Sequence, residues 1–169
     1  AVMPTSPGFA ALVAWRGGDD YQAGLTRALQ RASGGEPQDL LGLARFYLAW
    51  ELAPEALGAA RLAAQADGEL GDSAELRVVN GIAMLMMGRL ARAEVLLSGS
   101  ALNEDEAAQP WRGLVAARRS DWAEARRRFD AAGGTSYFLD PLWRARVQAA
   151  HARAAAETGD VGAALRVLE

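Results

Sequence analysis

The sequence predicts an all-α chain, and three observations carry that prediction. Of the 169 residues, 38 are alanine and 22 leucine, whereas isoleucine occurs once. Alanine and leucine are the strongest helix formers, and the β-branched residues that favour strands are scarce. Capping residues and glycine or proline breaks recur at short intervals, so the chain reads as short helices joined by tight turns. Hydrophobic residues make up 51% and charged residues 23%, the balance of a folded chain rather than a disordered one. The length suits one domain or a short repeat array. A chain of this size buries roughly two-thirds of its unfolded surface, so neither metal nor disulfide is needed to hold it.

The elements follow from the punctuation. Residues 1–8 hold two prolines, Ser6 and Gly8, and read as a tail. Phe9 to Trp15 is a short apolar segment, broken by Gly17 and Gly18. Asp19 or Asp20 caps a helix to about Ala32, which Ser33-Gly34-Gly35 ends. Pro37 suits a first helical turn, and that helix runs to about Trp50. Pro54 opens the next, which reaches Ala66 before the breaks Gly68 and Gly71. Asp72 or Ser73 caps a helix to Met87, with Glu75 as a capping-box partner of Asp72. Gly88 ends it, and Leu90 to Leu97 returns. Glu104-Asp105-Glu106 places negative charge at the start of a helix to about Arg119. Asp121 and Glu124 form a second capping box, opening a helix to Ala132. Gly133-Gly134 breaks the chain, and Asp140-Pro141 starts a helix to Thr158. Gly159 ends it, and Asp160 starts the last. The organisation expected is a tail and short segment over 1–18 and a helical array over 19–169. The chain stops inside a helical pattern at Leu168-Glu169, which reads as a piece of a longer protein.

The absences narrow the chemistry. There is no lysine, hence no phosphate-loop lysine and no Schiff base. There is no cysteine, hence no thiol nucleophile and no cysteine–zinc site. One histidine cannot build a conventional two- or three-histidine zinc site. A net charge of −3 argues against nucleic acid as a partner. No apolar run reaches the ~18 residues of a transmembrane helix. No cofactor and no catalysis are expected.

Helix pairs with tight turns align on small residues. Ala44, Gly81, Gly113 and Ala152 lie in the first helix of each pair, and Ala56, Ala93, Ala125 and Ala164 lie twelve residues later in the second. Small residues at a crossing let two helix backbones approach closely. Seven residues after each first position comes the turn, at Glu51, Gly88, Ser120 and Gly159. Four residues after each second position stands Ala60, Leu97, Phe129 or Leu168, of which the three large ones are expected to plug the gap between pairs.

Over about residues 37–169 this pattern resembles the tetratricopeptide repeat, with Tyr47, Phe129, Ala63 and Ala132 also at matching places. The units, measured between second-helix alanines, are 37, 32 and 39 residues long, against 34 in the family, and the family's closing proline is absent. The resemblance implies a right-handed α–α superhelix of four to five antiparallel hairpins. It implies that first helices line a concave groove: Leu41, Arg45 and Leu48; Val78, Ile82, Leu85 and Met86; Leu114 and Arg118; Arg146 and Arg153. The ligand implied is a peptide or protein with apolar anchors and acidic residues, because arginine binds carboxylates bidentately. The alanine-rich, lysine-free style resembles repeat proteins of high-GC bacteria and leans toward the periplasm. An apolar last helix (Val161, Ala164, Leu165, Leu168) suggests stacking on further repeats or on a second copy.

Other features weigh less. The arginines 118, 119, 126, 127 and 128 either dock an anion or form a solvated face. Most of the five tryptophans are expected in the core, with Trp50 a candidate for an exposed contact. His151 reads as structural. Ser136, Tyr137 and Asp140 lie in the longest break.

Overall fold

The computed structural model describes residues 12–18, 20–133 and 139–168, and among these the secondary structure is entirely helical. The tail, the alternative cap Asp19, and Ser136 and Tyr137 lie outside them. The elements are α1 (Leu12–Trp15), α2 (Tyr21–Ala32), α3 (Pro37–Ala49), α4 (Ala53–Ala66), α5 (Gly68–Gly71), α6 (Ala74–Met86), α7 (Leu90–Leu97), α8 (Gln109–Arg118), α9 (Trp122–Ala131), α10 (Pro141–Glu157) and α11 (Val161–Leu168). Two short 3₁₀ turns, Ser100–Leu102 and Glu106–Ala108, precede α8.

Packing runs between near neighbours in sequence. The pairs α3–α4, α6–α7, α8–α9 and α10–α11 fold back on each other. Successive pairs meet through α4–α6, α7–α8 and α9–α10, and through the first helices α3–α6, α6–α8 and α8–α10.

All four return turns have one geometry. After α3, the Glu51 N–H donates to the Leu48 carbonyl (3.0 Å) and the Leu52 N–H to Tyr47 (2.9 Å). The same two bonds close α6 (Gly88 to Leu85, Arg89 to Met84), α8 (Ser120 to Ala117, Asp121 to Ala116) and α10 (Gly159 to Ala156, Asp160 to Ala155). This is the Schellman closure, which needs one left-handed residue. Glu51, Gly88, Ser120 and Gly159 supply it, with φ of 60°, 74°, 61° and 85°. Two of the four therefore hold a side chain in a conformation that costs an L-residue about 1–2 kcal/mol.

The small positions are buried, and at two of them the close approach of the paired helices is explicit. They are Ala44 and Ala56, Gly81 and Ala93, Gly113 and Ala125, and Ala152 and Ala164. A Cβ on Gly81 would fall 2.6 Å from Leu97 Cγ, and one on Gly113 would fall 2.5 Å from Phe129 Cε1. Leu97 and Phe129 thus fill the crossing within their own pairs, rather than only the gap between pairs where they were expected. Leu168 does not: it is 64% exposed.

Three local expectations are corrected. The Gly68–Gly71 break is a helical turn, capped by the Asp67 carboxylate, which accepts from the N–H groups of Glu69 (2.9 Å) and Leu70 (3.4 Å). Asp72 closes that turn with helical φ and ψ and so cannot be the extended N-cap of α6. Ser73 takes that role and accepts from Leu76 N–H, while Glu75 turns to Arg45. The helix expected from Glu104 begins at Gln109 instead. The buried Gln109 amide donates to the carbonyls of Leu102, Asn103 and Asp105, tying down the 3₁₀ segment.

Candidate interaction cleft

The predicted groove residues divide into three groups. Leu41, Leu48, Val78, Ile82 and Leu85 have no exposed surface, and Leu114 is 5% exposed. The expectation that the first five line an open groove is therefore corrected. They belong to the continuous core, in which α3 packs on α6 and α6 on α8 as well as on their own partners. Met86 is half-buried against that same core.

Arg45 stands apart. It lines a separate hollow of about 360 Å³ with Trp15, Gly24 and Phe46. Its guanidinium lies 5.3 Å from the Trp15 ring and 3.5 Å from Glu75, and its Nε is buried without a hydrogen-bond partner. Burial pushes its pKa down, and Glu75 partly offsets this. Arg45 thus fixes α1 and α3 to α6 rather than serving a shared groove.

Leu114, Arg118, Arg146 and Arg153 are brought together. They line a cleft of about 520 Å³ where the α8–α9 pair meets α10. Leu114 and Ala117 give the α8 wall, Ser120 and Trp122 the turn into α9, and Trp143, Ala149 and Ala150 the α10 wall. The lining holds three guanidinium groups and no carboxylate.

Aromatic rings position those cations. The Arg146 guanidinium lies 4.3 Å from the Trp143 ring centroid, and that of Arg153 lies 4.7 Å from the Trp122 ring. Stacking suits a planar guanidinium and keeps its N–H edges free for carboxylates. Trp143 in turn packs on the fully buried Trp111, with centroids 5.0 Å apart. Arg118 donates to the Leu85 carbonyl (2.8 Å) at the end of α6.

Two carboxylates stand at the rim. Glu51, 95 positions from Arg146, pairs with it at 3.0 Å, so the turn after α3 reaches the side of α10. Glu157 approaches Arg153 at 3.5 Å. The sequence pointed to the arginines and to Trp122, but not to their other neighbours. Trp143, Ala149 and Ala150 carry no motif, and a contact across 95 positions leaves no local signal.

The other arginines of the 118–128 cluster are held by partners. Arg119 bonds Glu94, Arg127 bonds Glu124, and Arg128 bonds both Glu124 (2.7 Å) and Gln109 (3.2 Å). Arg126 bridges Asp160 at 2.5 Å and Thr158 at 3.0 Å. This is the solvated, paired face rather than a free anion cradle. His151 Nε2 lies 2.9 Å from Asp130 and its ring rests on Phe129. Asp140 caps α10 by accepting from Trp143 N–H. Trp50, expected as an exposed contact, instead donates its Nε1–H to the Arg16 carbonyl (3.1 Å), with the Arg16 guanidinium over its ring at 4.3 Å.

Among the described residues no group of three or more acidic or histidine side chains is placed to hold a metal, and no helix is long and apolar enough to cross a membrane. Comparison with family models, curated proteins and solved structures gave no significant match.

Proposed function

We propose that this chain is a non-enzymatic interaction module, a tetratricopeptide-like right-handed superhelix that receives a peptide or protein segment in the cleft between α8, the α9 turn and α10. The observation that carries the reading is the lining itself: three arginines and two tryptophans around an apolar floor, with no carboxylate in the wall. Four identical Schellman turns and buried small residues in each helix pair support the superhelical repeat. A photo-crosslinking residue at Ala149, which lines the cleft, tests this, with Ala123 on the exposed side of α9 as the control. A specific partner captured from position 149 and not from position 123, which binds the purified chain, supports the reading. Equal labelling at both positions refutes it.

A second reading rests on α11. Val161, Leu165 and Leu168 are 62%, 60% and 64% exposed and fall on one stripe at helical spacing. On this reading α11 pairs with α11 of a second copy. Sedimentation equilibrium of the wild type and Leu165→Glu tests it. A dimer that becomes monomeric in the variant supports the pairing, and a monomer throughout refutes it.

A further inference from the structure

We infer that the cleft selects an extended, polyproline-type segment carrying two acidic residues three positions apart, with an apolar residue between them. The inference rests on the cleft being the binding site and adds the chemistry and spacing of the ligand.

Spacing comes first. Arg146 and Arg153 are seven residues apart on α10, which places them roughly 10.5 Å apart along the axis and within about 20° of the same face. Both are seated on indole rings, so their orientation is set before a ligand arrives. In a polyproline II segment, residues i and i+3 share a face and are separated by about 9.3 Å, close to the arginine spacing. In a β-strand the same-face separations are about 6.6 Å for i+2 and about 13 Å for i+4, and both miss.

The cleft, about 520 Å³, has room for a single extended chain, about 4.8 by 10 Å in section, along that length. With both acids facing α10, the residue after the first acid turns toward the apolar wall of Leu114, Ala117 and Trp122.

Charge gives the second line of support. The wall carries only cations, and the rim carboxylates of Glu51 and Glu157 already sit on the two arginines the ligand would use. They occupy the places of the ligand's acids. Binding therefore exchanges an internal carboxylate for an external one, and removing the internal one strengthens binding. Glu51 is suited to the test because asparagine tolerates its left-handed φ of 60° and carries no charge.

The experiment titrates the full chain with capped ten-residue proline-rich peptides bearing two aspartates at spacings of two, three or four and a leucine after the first. The indole N–H resonances of Trp122 and Trp143 report on the cleft, and that of Trp15 serves as the internal control. Expected are shifts at Trp122 and Trp143 alone, binding at least fivefold tighter at spacing three, roughly tenfold weaker binding for Arg153→Gln, and about threefold tighter binding for Glu51→Asn. The gain in Glu51→Asn cannot arise from misfolding. No shift at millimolar peptide, equal binding at all spacings, or unchanged affinity in Glu51→Asn overturns the inference. If position 149 still captures a partner that lacks paired acids, the cleft remains the binding site and only the ligand chemistry is wrong. If capture fails as well, both readings fall.

Discussion

Replacing glycine by alanine has opposite consequences at two places in this chain, and the sign follows from what a Cβ would meet. In a helix interior the change is favourable by about 1 kcal/mol, because alanine loses less backbone freedom on folding. Gly42 in α3 and Gly58 in α4 have nothing within 4 Å of an added Cβ, so each variant should gain close to that amount. Gly113 in α8 is different. Its Cβ would lie 2.5, 2.6 and 2.9 Å from three carbons of the Phe129 ring, which must retreat by about 1 Å. That ring is 4% exposed and backed by the imidazole of His151, with centroids 5.3 Å apart, so it has little room. Overpacking of this kind costs about 1–3 kcal/mol. Taking about 3 for a rigid ring and subtracting about 1 for propensity leaves Gly113→Ala about 2 kcal/mol less stable. Urea unfolding followed by helical circular dichroism measures this, and melting should show a fall of about 4–8 °C against a rise of about 2–4 °C for Gly42→Ala. Phe129→Ala alone should cost about 3–5 kcal/mol. Combined with Gly113→Ala it reproduces the alanine–alanine arrangement of Ala44 and Ala60, and the double variant should cost at least 1 kcal/mol less than the sum. A Gly113→Ala protein as stable as the wild type would refute the account of helix approach given above.

Three further outcomes are expected. Ser120→Gly should stabilise by about 0.5–1 kcal/mol, as read by urea midpoint, since φ of 61° strains serine and not glycine; Glu51→Gly should act alike. Arg45→Glu should destabilise by about 2–3 kcal/mol in the same assay, because it sets a part-buried carboxylate against Glu75, whereas Arg45→Met should cost far less. The Asp160 carboxyl is held below its usual pKa, first by the Ala163 N–H and then by Arg126. A depressed folded pKa contributes stability above the unfolded value of about 3.9 and loses it as pH falls through the folded value. The stability gap between wild type and Asp160→Asn should therefore be present at pH 7 and close below about pH 4 in a pH series of melting curves.

Local chemistry was legible residue by residue. Asp20, Asp121, Asp140 and Asp160 each accept from an N–H of the first helical turn, as their positions before apolar runs imply. The turn positions 51, 88, 120 and 159 are left-handed, and the small residues are buried within each pair. These features depend on spacing within about twenty residues, which the sequence states directly. The misread capping box at Asp72 marks the limit of such reasoning. Two adjacent residues were both competent caps, and only the backbone geometry, helical at Asp72 and extended at Ser73, decided between them.

The functional surface was legible only in part. Arg118, Arg146 and Arg153 share a cleft, yet the leucines and valines assigned beside them are core, because a first helix is covered by the next first helix as well as by its own partner. Periodicity marks a face as apolar but not which neighbour covers it. The indole rings under Arg146 and Arg153, and the reach of Glu51 across 95 positions, depend on how one pair rotates onto the next. By itself the sequence determined that the chain is helical, where most of its helices start and stop, and which small residues are buried within a pair. Those choices are made by hydrogen bonds and sterics between near neighbours. The tertiary structure alone decided which side chains remain open to a ligand, since that depends on the angle between packed pairs.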